Sequence, residues 1–149
     1  MNCFRLVMVP LLGLLLGWMP LRGQEVRFGA PFDFPLYLSG NFGELRSNHF
    51  HGGLDFKTQG VVGKPLLAIA DGYISKVTVT PGGYGNALYL THDNGYTSVH
   101  GHLDRFLPEI AELVRKKQYA EQAFAVTLEF GPDEFRFRQG EVVAYAGNT

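Results

Sequence analysis

Short apolar runs separated by glycine-rich turns dominate the hydrophobicity pattern from residue 65 onwards. Residues 65–70 form an apolar run of strand length, and residues 73–80 are rich in β-branched side chains with partial apolar–polar alternation. Both patterns are typical of β-strands. The Asp71-Gly72 dipeptide between them is a two-residue turn signal, so the pattern predicts that the two strands form a hairpin.

Strand patterns recur along the rest of the chain. They cover residues 87–92, 96–102, 124–130, 135–138 and 141–146. The glycine-rich loop at residues 81–86 precedes a strand rather than a helix, which does not match the geometry of a phosphate-binding loop. Residues 36–38 are the only strand-like piece in the proline- and phenylalanine-rich segment that comes before these strands.

Residues 104–119 follow a different pattern, because their apolar side chains recur at helical spacing. Two glutamates lie early in the segment and three basic residues lie late. This predicts one amphipathic helix whose charges suit the helix dipole. The basic residues Arg115, Lys116 and Lys117 either contact an anionic polymer or form an ordinary solvated helix end. We treat residues 104–120 as a helical insertion in a β-rich domain.

The composition favours one mainly β domain. A chain of 149 residues can bury a single core, and it is too short for two ordinary ones. Nineteen glycines and twelve phenylalanines favour many turns around an aromatic-rich core. The net charge of −1 provides no basic surface for nucleic acid, so we expect no nucleic-acid partner. The oligomeric state does not follow from the sequence.

The first 23 residues predict an export signal. Arg5 precedes the apolar run at residues 6–16, and Gly23 offers a small residue at a cleavage point. A membrane anchor would need about 20 apolar residues without such interruptions by proline and glycine. We therefore expect an exported protein, periplasmic or extracellular, with no membrane span after cleavage. Residues 24–41 would then form an aromatic and proline-rich lead-in, and residues 42–149 the main domain.

Two His-x-His pairs supply the candidate chemistry. His49 and His51 would lie on one face if their segment is a strand. The two glycines that follow let the backbone turn, so that Asp55 can converge on His51. Zinc binds nitrogen and oxygen ligands of this kind. The only cysteine, Cys3, lies within the predicted signal peptide, which excludes cysteine as a ligand in the mature chain.

The second pair is His100 and His102, whose spacing would again place both rings on one strand face. Histidine can bind a metal or transfer a proton near neutral pH, so one pair could bind and the other catalyse. Two alternatives stay open on the residues alone. The histidines could be polar residues on a solvated face, or His49, His51 and His100 could close a purely structural or metal-scavenging site with Asp55.

The order of these motifs resembles the lysostaphin/LytM-type zinc metallopeptidases. The matching segments are residues 51–56, 63–68, 71–74, 82–86 and 95–103. The resemblance implies a small antiparallel β-sheet or barrel-sandwich scaffold with an open groove, into which the helix is inserted. It also implies Zn²⁺ as cofactor and peptidoglycan as partner and substrate, which agrees with the predicted export.

The resemblance also implies residue roles. His51 and Asp55 would be two of three zinc ligands, and His102 would be an active-site histidine that does not bind metal. His100 stands where the family often has tyrosine, so it would be a catalytic-site hydrogen-bond donor or a spare ligand. His49 is not a family position, and His92 is expected to be structural or on the surface.

The family's third ligand lies in a His-x-His strand shortly after a Gly-Asn-Thr/Ser-Gly turn, and this sequence ends within that turn at Thr149. We therefore expect that this sequence is an N-terminal fragment of a zinc endopeptidase. By itself, the fragment should have low zinc affinity and little activity. One alternative is a non-catalytic LytM-like protein that binds the cell wall or activates another hydrolase. A lipoyl-type carrier is disfavoured, because neither Lys64 nor Lys76 lies at a predicted hairpin tip.

Overall fold

The computed structural model describes residues 27–147, which form three antiparallel sheets and one helix. The strands are β1 (Leu38–Gly40), β2 (Asp55–Phe56), β3 (Lys64–Leu67), β4 (Gly72–Val79), β5 (Asn86–His92), β6 (Thr97–His100), β7 (Leu103–Phe106), β8 (Val126–Glu129), β9 (Arg136–Phe137) and β10 (Val142–Ala146), and helix α1 (Pro108–Glu121) lies between β7 and β8 in the chain. The prediction of a mainly β fold is confirmed. The sheets of the described residues do not close into a barrel, and the predicted signal peptide lies outside those residues.

The largest sheet has the strand order β6-β5-β4-β8, and β9 pairs with the start of β4. Its central strands supply much of the core, including the fully buried Ile74, Val77, Leu88 and Leu90. The register of β4 against β5 shifts between Ile74 and Lys76. This bulge lets Ile74 and Val77, three positions apart, both enter the core. The partial alternation seen in the sequence therefore has a structural cause.

The hairpin predicted around Asp71-Gly72 is wrong. Strand β3 pairs with β10, and β4 pairs with β5 in another sheet. Beyond the end of β3, the Ala68 N–H still donates to the carbonyl oxygen of Glu141, the residue before β10, so the chain stays beside β10 until the bend that leads into β4. A Cβ on Gly72 would lie 2.3 Å from the carbonyl oxygen of Thr91. The glycine is needed for this close approach of two strands rather than for a two-residue turn.

The predicted helix is present, but it begins at Pro108 rather than at residue 104. Strand β7 precedes it and pairs with β10 in the three-stranded sheet β3-β10-β7. Phe106 is buried on this strand four positions before the buried Ile110, a spacing that imitates the helical period. Proline is well suited to the first helical position, and Gln122 ends the helix in the left-handed conformation.

The basic residues of the helix form ion pairs with glutamates of the same helix. Arg115 and Lys116 pair with Glu112, and Lys117 pairs with Glu121. This pairing favours an ordinary solvated surface over a contact with an anionic polymer. Within residues 27–147, no helix is long and apolar enough to cross a membrane.

The two-stranded sheet β1-β2 is held against the core by aromatic residues of the lead-in. Phe56 of β2 contacts Phe32 edge to face, with ring centroids 6.2 Å apart. Phe32 is buried and stacks on Phe34. The lead-in therefore contributes to the core, and it fixes the small sheet that carries Asp55.

Candidate metal site and histidine cluster

A hairpin-like turn positions His51. Its backbone N–H donates to the carbonyl oxygen of Glu44, and its carbonyl oxygen accepts from the Gly43 N–H, both at 2.8 Å. An isolated bridge joins Leu45 to Phe50. These bonds fix the backbone of His51 beside the two-stranded sheet.

His49 does not share a strand face with His51 as predicted, because a single bridge at Phe50 replaces a regular strand. The His49 side chain is exposed, and its Nδ1 lies 2.6 Å from Asn48 Oδ1. The structure therefore gives His49 a local contact apart from the His51 side chain.

His51 and Asp55 are brought together as the sequence suggested. His51 Nε2 lies 3.1 Å from Asp55 Oδ1. On the other side of the ring, Nδ1 lies 3.0 Å from the carbonyl oxygen of Asn41. Because a carbonyl oxygen only accepts, Nδ1 carries the hydrogen, and Nε2 of the neutral ring carries a lone pair. Two acceptor atoms therefore face each other, an arrangement that a shared proton or a bound cation would stabilise.

The spacing of these two acceptors suits a metal. Two tetrahedral ligands with bonds of about 2.05 Å lie about 3.3 Å apart, close to the separation of 3.1 Å between Nε2 and Oδ1. The carbonyl that holds Nδ1 is also the kind of partner that orients a metal-binding histidine. Within residues 27–147, no three His, Cys, Asp or Glu side chains form a group that could hold a metal. His51 and Asp55 are thus two candidate ligands among the described residues.

Arg46 and Gly40, which the sequence analysis did not single out, organise the other side of Asp55. Arg46 Nη2 donates to Asp55 Oδ2 at 2.7 Å, and this bond raises the pKa of the guanidinium. A Cβ on Gly40 would lie 2.4 Å from Arg46 Nη2 and 2.5 Å from Asp55 Oδ2. The glycine therefore makes room for the ion pair. Because Arg46 engages Oδ2, Oδ1 is the oxygen that faces His51.

His102 lies at a bend between β6 and β7, with its side chain exposed and its φ at 55°. A non-glycine residue seldom adopts this left-handed conformation. The His102 N–H donates to the carbonyl oxygen of Tyr84 at 2.8 Å, and its own carbonyl accepts from Gly147 N–H at 3.0 Å. Backbone strain held in place from both sides in this way is common at functional sites.

His100 and His102 are not on a common strand face, so that expectation is wrong. Strand β6 ends at His100, and Gly101 begins the bend. A Cβ on Gly101 would lie 2.8 Å from Tyr84 Cδ1, so the loop that carries Tyr84 packs against the bend. The chain leaves the five-stranded sheet at this point to enter the three-stranded one. The two histidines consequently have different partners.

His100 belongs to a hydrogen-bonded chain with His92 and Ser98. Ser98 Oγ lies 2.9 Å from His92 Nε2 and 3.0 Å from His100 Nε2. His92 is 3% exposed, and its Nδ1 lies 3.2 Å from the carbonyl oxygen of Ala70. Burial, and then the proximity of His92, lower the pKa of His100 to about 4. His92 is therefore structural, as expected, whereas the role of Ser98 carried no signal in the sequence.

The same part of the chain matches a family of known proteins. The model of peptidase family M23 matches residues 49–122, which include His51, Asp55, His100 and His102. This chain belongs to peptidase family M23. The resemblance to LytM-type metallopeptidases is thereby confirmed.

A protein of Haemophilus influenzae that is named an uncharacterized metalloprotease is 33% identical to this M23 chain over 97 residues. The aligned part covers 65% of this chain and 19% of that protein, so the chain spans about a fifth of the length of the relative. No solved structure matches the chain. Membership of M23 supports a metal-dependent peptidase, and the facing acceptors of His51 and Asp55 are candidate ligands for such a metal.

Proposed function

We propose that this M23 chain is part of a zinc-dependent endopeptidase and supplies two ligands of its zinc site. We further propose that the enzyme cleaves peptidoglycan peptides outside the cytoplasm. The observation that carries the proposal is the pair of acceptors, His51 Nε2 and Asp55 Oδ1, 3.1 Å apart. The predicted export signal at residues 1–23 supports an exported substrate. The third ligand is to be sought outside residues 27–147, since those residues hold no complete group.

His51 and Asp55 would hold the metal through Nε2 and Oδ1. In the neutral ring, the bond to the Asn41 carbonyl holds the hydrogen on Nδ1 and leaves the lone pair on Nε2, and Arg46 fixes the orientation of the carboxylate through its bond to Oδ2. When bound, zinc lowers the pKa of its water and polarises a carbonyl group. The protein's contribution at this end of the site is therefore orientation of two ligands before the metal arrives.

His102 would act on the reacting peptide rather than on the metal. Its backbone is fixed through Tyr84 and Gly147, while its side chain remains exposed to a ligand. An imidazole in this position can donate a hydrogen bond to a developing oxyanion or give a proton to the leaving amine. Fixing the backbone of such a residue preserves its alignment during the reaction.

The test measures zinc content and peptidoglycan cleavage on the full-length product of the gene that contains this chain. We expect one bound zinc and release of peptides from purified peptidoglycan. His51→Ala should remove the zinc and lower kcat/KM by at least about 10³-fold. His49→Ala is the matched control, because His49 is an exposed neighbour that contacts Asn48, and it should retain both properties.

A non-catalytic role predicts a different result for the same protein. The specific observation in its favour is that residues 27–147 supply only two clustered ligands. In that case, the full-length protein would sediment with purified peptidoglycan but would carry no zinc and release no peptides. That outcome would overturn the endopeptidase proposal and support a cell-wall-binding or hydrolase-activating protein.

A further inference from the structure

The hydrogen-bonded chain Ala70–His92–Ser98–His100 has a direction that its end groups determine. The carbonyl oxygen of Ala70 can only accept, so the hydrogen bond at 3.2 Å requires a hydrogen on His92 Nδ1. A neutral His92 then has a lone pair on Nε2. That nitrogen accepts the hydroxyl hydrogen of Ser98 across 2.9 Å.

The same reasoning determines which nitrogen of the His100 ring carries the hydrogen. Once the Ser98 hydroxyl donates to His92, its oxygen can only accept from the ring on its other side. The contact of 3.0 Å between Ser98 Oγ and His100 Nε2 therefore requires a hydrogen on that nitrogen. The neutral ring of His100 consequently carries its lone pair on Nδ1.

The two ends of this chain differ in their access to ligands. His92 is 3% exposed and lies against the core, whereas His100 is only partly buried at the end of β6, next to the bend that carries His102. A low pKa of about 4 keeps the His100 ring neutral at physiological pH. An interior partner thus sets which nitrogen of the outer ring is free.

We propose that Ser98 and His92 are positioning residues that fix His100 in the tautomer whose Nδ1 accepts a hydrogen bond from a backbone N–H of the peptide substrate. The identity of the ligand rests on the proposed peptidase function, whereas the tautomer rests on the hydrogen bonds alone. The role is that of an acceptor for a substrate amide.

The tautomer is tested by nitrogen-15 NMR of the histidine rings at pH 7, which distinguishes protonated from unprotonated ring nitrogens. We expect the wild-type protein to show His100 with hydrogen on Nε2 and none on Nδ1. Ser98→Ala removes the acceptor and should give a mixture of both tautomers. Ser98→Thr keeps a hydroxyl and should restore the wild-type pattern. Far-ultraviolet circular dichroism and a thermal melt establish that each variant is folded.

Two NMR results would overturn the assignment: hydrogen on Nδ1 of His100 in the wild-type protein, or an unchanged tautomer in folded Ser98→Ala. Neither depends on enzymatic activity, so they are separate from failure of the proposed function. A ring signal of His100 that shifts when zinc alone is added to His51→Ala would also overturn the proposal, because it would make Nδ1 a metal ligand.

The ligand is tested on the active full-length protein with a synthetic peptidoglycan stem peptide. Loss of one hydrogen bond is worth up to about tenfold in affinity. We therefore expect Ser98→Ala to raise KM several-fold with little change in kcat, and Ser98→Thr to stay close to wild type. A fall in kcat at constant KM, or an unchanged KM in a variant with mixed tautomers, would contradict a role in substrate binding.

Discussion

The two histidine sites of this molecule differ in whether their contacts join a hydrogen-bond donor to an acceptor. At His51 and Asp55, two acceptors face each other beside a small sheet that aromatic contacts hold to the core. Along His92, Ser98 and His100, each contact of the chain can join a donor to an acceptor. The comparison teaches that an unmatched pair marks where a proton or a cation fits, whereas a matched chain marks where a ring is held in one tautomer.

The largest expected effect is a difference in the free energy of unfolding between variants of the two histidine sites. His92→Ala leaves a cavity in the core and removes the partner of Ser98, so it should lower the free energy of unfolding by about 3 kcal/mol. His51→Ala should lower it by less than about 1 kcal/mol in zinc-free protein, because this ring is partly exposed. Urea unfolding of the two variants, both measured with a chelator, checks this difference. Equal losses would contradict the distinction between the sites.

The next effect concerns pH. The pKa of His100 is about 4 in the folded protein, against an ordinary value of 6.5. As the pH falls below 6.5, the unfolded chain takes up a proton that the folded chain does not, so stability should fall until about pH 4. The loss contributed by His100 should reach at most about 3 kcal/mol.

The pH measurement compares urea unfolding at pH 7 and pH 4.5. His100→Gln should flatten the dependence, whereas His49→Gln, which changes an exposed histidine, should leave it as in wild type. A dependence that survives in folded His100→Gln would assign the titration to another group.

A smaller effect is expected at Arg46. Removing a residue that orients a metal ligand typically lowers metal affinity 10- to 100-fold, and we expect the low end of that range, about tenfold, for Arg46→Ala. Arg46→Lys keeps the charge but cannot reproduce the planar fork of the guanidinium, so it should recover only part of the loss. Zinc titration of the full-length variants with a competing chelator measures both. A rise in affinity would show that repulsion between Arg46 and the metal outweighs the orientation of Asp55.

The smallest effect is expected at Gly40. Gly40→Ala places a Cβ within 2.5 Å of the Asp55 carboxylate and closer still to the Arg46 guanidinium. Side chains can shift to relieve this contact, so zinc affinity should fall only a few-fold, by less than about 1 kcal/mol. Gly82→Ala is the matched control, since a Cβ there meets nothing within 4 Å. The same zinc titration applies, and an equal affinity in both variants would remove Gly40 from the site.

Most strands and the pairing of His51 with Asp55 could be predicted, because both depend on local patterns. The partner of β3 could not, because β10 lies more than 70 residues further along the chain, and an Asp-Gly signal does not report which strands pair. The start of the helix was misplaced because Phe106 has helical spacing while it lies on a strand. Tertiary packing decided between the two patterns.

The residues that support the site were harder to predict than the candidate ligands. Arg46, Gly40 and Ser98 belong to common residue types, and their importance comes from what the fold places beside them. Arg46 gains its role from Asp55, and Ser98 gains its role from two rings on neighbouring strands. Such roles become visible only when the distances between the side chains are known.

The direction of the Ser98 hydroxyl also links the tautomer of His100 to the number of hydrogens on the His92 ring. A second proton on His92 would make both of its ring nitrogens donors, so the hydroxyl would have to rotate and donate to His100 instead. The lone pair of His100 would then move from Nδ1 to Nε2. A single proton in the interior would thus turn the Nδ1 acceptor of His100 into a donor while every carbon, nitrogen and oxygen atom stayed in place. Two proteins with superimposable heavy atoms could therefore select opposite ligands.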